Sequence, residues 1–171
     1  MAGKGSSAGA STRVAARVLI IEAPYYEDVS KELAAGALAE LKARGATFDR
    51  IEVPGALEIP QVLTLASAAG LFYGNPLSTK PSARYAGAVA LGCVIRGETS
   101  HYDIVCNNAN HWMMHVATEQ HIPVGNGILT VDTHAQALAR ARGGREGKGG
   151  DAARACLRLI ELAQSFQKQK T

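Results

Sequence analysis

The densest group of chemically capable residues is Val94-Ile95-Arg96-Gly97-Glu98-Thr99-Ser100-His101, which follows one apolar run and precedes an amphipathic one. Backbone N–H groups in such a strand-to-helix loop are free to bind an anion, and the dipole of the following helix favours it. Gly97 permits close approach, Thr99 and Ser100 offer hydroxyls, and His101 can exchange protons near neutral pH. The same residues also fit an ordinary N-cap and a solvated histidine. A second group is Pro54-Gly55-Ala56-Leu57-Glu58-Ile59-Pro60, a carboxylate set between apolar residues in a turn bracketed by prolines. Glu58 can cap the helix that follows or accept hydrogen bonds from sugar hydroxyls, and the two roles are compatible. Tyr25 and Tyr26 close the first apolar run, where a ring can stack on a planar heterocycle or pack the rim of a core. Arg140 offers a donor fork suited to phosphate, with a solvated surface charge as the alternative.

These segments need a scaffold that brings them together. Arg17 to Glu22 contains Val18-Leu19-Ile20-Ile21, a continuous apolar run that predicts a strand buried on both faces, ended by Pro24. Glu27 to Arg44 carries Val29, Leu33, Leu38 and Leu41 on one helical stripe, with Gly45 as its C-cap. Thr47 to Val53 predicts a second strand, Glu58 to Ala69 a helix, and Ala86 to Cys93 a third buried strand. Leu71 to Tyr85, with its Gly, Pro and Ser residues, reads as an exposed connection, and Val94 to His101 as a polar loop. A helix is expected from Tyr102 to Gln120, and a fourth strand from Pro123 to Thr130, interrupted by Gly125 and Gly127. A short helix from Thr133 to Arg142, a glycine-rich loop from Gly143 to Gly150 and an amphipathic helix from Asp151 to Gln167 complete the pattern. Buried strands alternating with helices imply an α/β fold, a four-stranded parallel sheet with helices on both faces. Ligands in such sheets bind beyond the carboxyl ends of the strands, which collects Ala23–Glu27, Pro54–Pro60, Val94–His101 and Thr130–Thr133 at one site.

With 171 residues, 47% of them hydrophobic, one domain with one sizeable core is expected over residues 14–171. Only 5% are aromatic, so aliphatic side chains must do most of the packing. Residues 1–13 are Gly, Ser and Ala with little hydrophobicity, and read as a disordered tail, not a signal peptide. A net charge of +3 is too mild for a nucleic-acid binder, and no apolar run approaches membrane-spanning length. Three cysteines without a CxxC pair argue against a disulfide framework or zinc knuckle and fit a reducing cytoplasm. His111-Trp112-Met113-Met114-His115 has the spacing of a zinc helix, but Trp112 stands where a metalloprotease has its Glu and no third ligand is evident. Two histidines at that spacing can still hold a metal; packing of the helix is the commoner use. Gly147-Lys148-Gly149 lacks the spacing and the Ser or Thr of a P-loop.

Taken together, Val53–Pro60, Ala90–Asp103, Gly127–Thr130 and Gln136–Ala141 resemble the lumazine synthase family, in its order and near its spacing, over about Arg17 to Phe166. The resemblance implies a flavodoxin-like three-layer sandwich and a cofactor-free, metal-free condensation. 5-Amino-6-(D-ribitylamino)uracil would join 3,4-dihydroxy-2-butanone 4-phosphate to give 6,7-dimethyl-8-ribityllumazine, the penultimate step of riboflavin biosynthesis. It implies Tyr25 stacked on the pyrimidine, Ala56, Leu57 and Glu58 at the ribityl chain, and Cys93, Val94 and Ile95 at the uracil edge. Glu98 and Thr99 would donate backbone N–H groups to the phosphate-bearing substrate, His101 would move protons, and Arg140 of the next subunit would hold phosphate. The family forms homo-oligomers with sites at subunit interfaces: pentamers, stacked pairs of them, or shells of sixty subunits. Asn126 stands where many members carry an aromatic residue at the uracil site. The Leu71–Tyr85 connection is longer than in compact members, and Gly143–Gly150 departs from the usual GNKG. The Gly125-Asn126-Gly127 and Lys148-Gly149-Gly150 variants favour a free pentamer or two stacked ones. A binding module without catalysis, a decayed shell protein and a flavodoxin-like electron carrier are the competing readings. The presence of His101 and Arg140 argues against the first, the near-complete motif set against the second, and Ala23-Pro24-Tyr25-Tyr26 against the third, which needs a Ser/Thr-rich phosphate loop there.

Overall fold

The computed structural model describes residues 13–73 and 83–169. Its elements follow one another as β1 (Arg17–Glu22), α1 (Glu27–Ala43), β2 (Thr47–Glu52), α2 (Ile59–Ala68), β3 (Gly87–Ile95), α3 (His101–Glu119), β4 (Val124–Val131), α4 (His134–Ala141) and α5 (Lys148–Lys168), with single 3-10 turns at Ala56–Glu58 and Gly144–Glu146. The four strands form one parallel sheet in the order β2-β1-β3-β4. Parallel strands must be joined by crossovers, and here each crossover carries helix.

Alternation along the strands sorts the core into two layers. Leu19 and Ile21 of β1 and Ala88 and Ala90 of β3 pack on Ile59 and Leu63 of α2 and Ala109, Met113 and Ala117 of α3. Val18 and Ile20 of β1 and Val89 and Leu91 of β3 face the other way, onto Ala37 and Leu41 of α1 and Ala153, Leu157 and Ile160 of α5. Each fully buried Leu or Ile contributes about 1.5–3 kcal/mol by leaving water. The result is the α/β three-layer sandwich that the sequence predicts.

Several expectations need correction. β2, read from sequence simply as a second strand, is an edge strand and largely exposed, unlike β1 and β3. Its charges are paired across to β1. Arg17 donates to both Asp49 oxygens at 2.8 and 2.6 Å, and Arg50 to both Glu22 oxygens at 2.6 and 2.9 Å. β3 continues two residues beyond Cys93, because Val94 and Ile95 stay in register with Thr130 and Val131 of β4. Gly125 and Gly127 do not interrupt β4. A Cβ on Gly125 would lie 1.9 Å from the Ala152 carbonyl oxygen, so this glycine lets α5 lie close on the strand. The Gly143–Gly150 segment is not all loop, since α5 starts at Lys148. A Cβ on Gly149 would lie 1.9 Å from the Leu33 carbonyl oxygen of α1. These glycines serve packing inside the chain. The Leu71–Tyr85 connection is not wholly exposed: Phe72 and Tyr85 are buried and bridge each other. Its residues 74–82 lie outside the described residues, as do residues 1–12 of the expected disordered tail.

On the α1 and α5 side, Glu40 is buried, at 1% exposure, among three arginines. Arg145 donates to it at 2.7 Å, Arg154 reaches it at 3.5 Å and Arg44 stands 3.9 Å away. A buried carboxylate is tolerable only when so paired. This one fastens the 3-10 turn before α5 to α1.

Candidate active site

The chain runs from β1 outward to β2 and returns past β1 to β3, so the loops after β1 and β3 leave in opposite directions and open a crevice between them. A cavity of about 300 Å3 lies there, at the low end of the range for small-ligand sites. It is lined by Ala23, Tyr25 and Tyr26 after β1, Gly55 to Glu58 after β2, Cys93 to Ile95 at the end of β3, and Gly97, Thr99, His101, Tyr102 and Val105 around the start of α3. Three of the four segments expected at the strand ends meet in it. The fourth, Thr130–Thr133, does not line it.

Tyr25 is 73% exposed and meets Tyr26 edge-on, with ring centroids 5.0 Å apart, so one face of its ring is available to a ligand. Glu58 makes no cap hydrogen bond to α2, which rules out the capping role, and its carboxylate borders the cavity beside Gly55. Burial pushes the Cys93 thiol up to about 11, with the Asp28 carboxylate adding to the rise. Cys93 is therefore a neutral thiol at physiological pH, a contact surface with no thiolate to attack substrate. Burial also raises the phenols of Tyr26 and Tyr102 above the ordinary tyrosine range.

Between β3 and α3 the backbone N–H groups of Gly97, Glu98, Thr99 and Ser100 have no partner among the described residues. The Thr99 hydroxyl accepts from the His101 N–H at 3.4 Å. His101 is the first residue of α3, exposed and facing the cavity. Unpaired N–H groups at the head of a 19-residue helix form a place where negative charge is stabilised, next to a group able to donate a proton.

Arg96 anchors this loop, a role that no sequence pattern marked. Its N–H bonds to the Val131 carbonyl at 2.9 Å and its Nε donates to Asp132 at 3.0 Å. Its Nη1 reaches Asp103 at 3.5 Å, and the guanidinium lies 4.0 Å from the centre of the Tyr102 ring. One side chain thereby ties the ends of β3 and β4 to the first turn of α3, which carries His101. The signal that pointed to it was only its position inside the loop.

The cavity does not gather every residue expected at the site. Glu98 is exposed and does not line it. Asn126 lies on β4, where its amide donates to Asn110 at 2.7 Å and its carbonyl accepts from the Ile128 N–H at 2.9 Å. Arg140 stands exposed on α4 with no partner among the described residues. Both lie outside the cavity of their own chain. Among the described residues no cluster of three His, Cys, Asp or Glu side chains could hold a metal, and no helix is long and apolar enough to cross a membrane.

Comparison with known proteins agrees with this geometry. The family model for 6,7-dimethyl-8-ribityllumazine synthase matches residues 15–164. The chain is 49% identical over 149 residues to the 6,7-dimethyl-8-ribityllumazine synthase of Methylorubrum populi, covering 87% of this chain and 83% of the relative. It is 51% identical over 151 residues to that of Beijerinckia indica, covering 88% and 77%. With that of Azorhizobium caulinodans it shares 50% over 159 residues, or 93% of each chain. A match that takes in all four strands and every segment of the cavity leaves one conclusion: the chain belongs to the 6,7-dimethyl-8-ribityllumazine synthase family.

Proposed function

We propose that the protein condenses 5-amino-6-(D-ribitylamino)uracil with 3,4-dihydroxy-2-butanone 4-phosphate to give 6,7-dimethyl-8-ribityllumazine. It is a transferase of riboflavin biosynthesis, working in the cytoplasm without a cofactor, with residues 14–171 acting as one domain. The observation that carries this reading is the strand-end cavity, where an exposed ring, a carboxylate, a proton carrier and unpaired N–H groups meet.

In this reading the Tyr25 ring stacks on the pyrimidine. The turn at Ala56, Leu57 and Glu58 holds the ribityl hydroxyls, and the end of β3 at Cys93, Val94 and Ile95 borders the uracil edge. The 5-amino nitrogen attacks the ketone carbon, water leaves and an imine forms. Carbon 3 then loses its proton as phosphate departs from carbon 4 with the bonding electron pair, and the resulting enol tautomerises to a ketone at carbon 3. The ribitylamino nitrogen closes the second ring onto this new carbonyl, with loss of another water. His101 supplies and removes protons in these steps, a contribution of about 10²–10⁴ in rate for a well-placed group. The N–H groups of Glu98 and Thr99 meet the phosphate-bearing substrate. Much of the acceleration comes from holding two reactants in register.

Arg140 and Asn126, outside their own cavity, fit a site completed by a neighbouring copy. We infer a homo-oligomer built on pentamers, in which Arg140 of the partner subunit holds the leaving phosphate.

The test is a turnover assay against the uncatalysed reaction. Clear acceleration is expected, with His101→Ala lowering kcat and leaving uracil binding in place. Arg140→Ala is expected to raise KM for the butanone phosphate far more than for the uracil. Co-assembling the two impaired variants in equal amounts should restore wild-type behaviour at about a quarter of the sites, since a random pairing of neighbours gives one complete site in four. No acceleration by the wild type would end the reading. No restoration in the mixture would return both residues to a single chain.

A further inference from the structure

We propose that His111 and His115 form a two-imidazole site for a divalent transition-metal ion of the copper, nickel or zinc class, on α3 and separate from the condensation cavity. The two residues are one helical turn apart, so their side chains leave the same face of α3. Their rings lie nearly parallel, 15° apart, with centroids 6.3 Å from each other. Trp112 meets both edge-on, at 5.2 Å from His111 and 5.5 Å from His115, and limits how far either ring can swing away. Both histidines are exposed, and neither imidazole ring has a hydrogen-bond partner among the described residues.

Two imidazoles at this spacing chelate one ion. Bringing a nitrogen of each ring to about 2.0–2.1 Å from a metal takes rotation about χ2, a broad torsion in histidine that resists little. Imidazole selects copper, nickel and zinc over magnesium or calcium, which prefer carboxylate and carbonyl oxygen. No third His, Cys, Asp or Glu among the described residues completes the set. The remaining positions on the ion are therefore filled by water, unlike a closed four-ligand structural zinc site.

Trp112 is the sole tryptophan, half exposed, and in contact with both proposed ligands, so it reports occupancy directly. The experiment is titration of the full-length, assembled protein with copper sulfate and with nickel sulfate, followed by Trp112 fluorescence. Saturable quenching by both metals is expected, with none from magnesium. His111→Ala and His115→Ala should each weaken it at least about tenfold, the loss that even an outer-shell partner costs a metal site. The double variant measures whatever quenching His101, His121 and His134 contribute. Copper paramagnetic resonance should carry the signature of two equivalent nitrogens in the wild type and one in each single variant. Rates of lumazine formation should be equal in all four proteins. Absence of saturable quenching overturns the proposal, and so does quenching that survives either single variant or is matched by magnesium.

Discussion

Between α1 and α5 the chain packs backbone against backbone, with Gly149 under the Leu33 carbonyl and Glu40 enclosed by three arginines, whereas the crevice beyond β1 and β3 leaves Tyr25 73% exposed and four loop N–H groups unpaired. In the first region the buried Glu40 carboxylate is answered by arginines of the same chain. In the second, the polar groups wait for a substrate, and Arg140 lies outside the cavity of its own chain. A chain that spends its internal contacts on one side leaves the other free to be organised by ligands and neighbours.

The sharpest way to break this contrast is Gly149→Ala. The new methyl would sit 1.9 Å from a carbonyl oxygen that belongs to backbone, so something in α1 or α5 must move. We expect loss of soluble folded protein, a cost above about 4 kcal/mol, read by circular dichroism and yield. A folded, active variant would mean that this region is as yielding as the crevice. Next is Glu40→Ala, which strips a buried counter-charge from its arginines; a loss of about 3 kcal/mol is expected in urea unfolding. Once folded, this variant should bind the ribitylaminouracil as before, and a weakened affinity would show that the two regions are coupled.

Arg96→Lys sharpens the contrast from the other side. Lysine keeps the charge but can neither fork to Asp132 and Asp103 nor lie flat on Tyr102. We expect kcat to fall about fivefold, with KM for the uracil and the unfolding midpoint unchanged, the pattern of a residue that positions His101. A loss of stability in place of kcat would make Arg96 a brace of the fold alone. The smallest effect is confined to alkaline pH. Burial pushes the Cys156 thiol up to about 12 from 9.0, so in this interval the folded protein keeps a proton that the unfolded chain releases. Stability from this group is whole below pH 9 and declines above it by up to about 1.4 kcal/mol per pH unit. Cys93, raised to about 11, acts in the same sense. Urea midpoints from pH 8 to 10.5 check this, and a Cys156→Ala variant should flatten the decline.

Strands β1 and β2 and helices α1 and α3 were legible in the sequence to within a residue or two, because apolar runs and helical stripes report burial directly. What misled was glycine. Gly125, Gly127, Gly149 and Gly150 read as breaks when each stands inside a strand or helix, where close approach of another element forbids a side chain. Local pattern cannot distinguish a glycine that bends the chain from one that admits a neighbour. The extension of β3 to Ile95 was hidden for a related reason: the ladder with β4 holds Val94 and Ile95 in the strand. At the site, the Tyr25, Ala56–Glu58, Cys93–Ile95, Thr99 and His101 positions were legible from sequence and meet in one cavity. Arg96 was not, since its work depends on Asp132 and Tyr102, which only the fold brings to it.

The outer edge of the sheet has a bearing on how the chain survives before it finds any partner. β2 offers a row of outward backbone groups on which another extended chain could add itself. Ion pairs guard that row, with Arg17 clamped on Asp49 and Arg50 on Glu22, alternating in sign along a strand that also carries Glu52. A stray strand docking there would have to strip water from these charges without replacing their partners. Fibre-like stacking is thereby discouraged at the stage when newly made chains are most concentrated and least assembled.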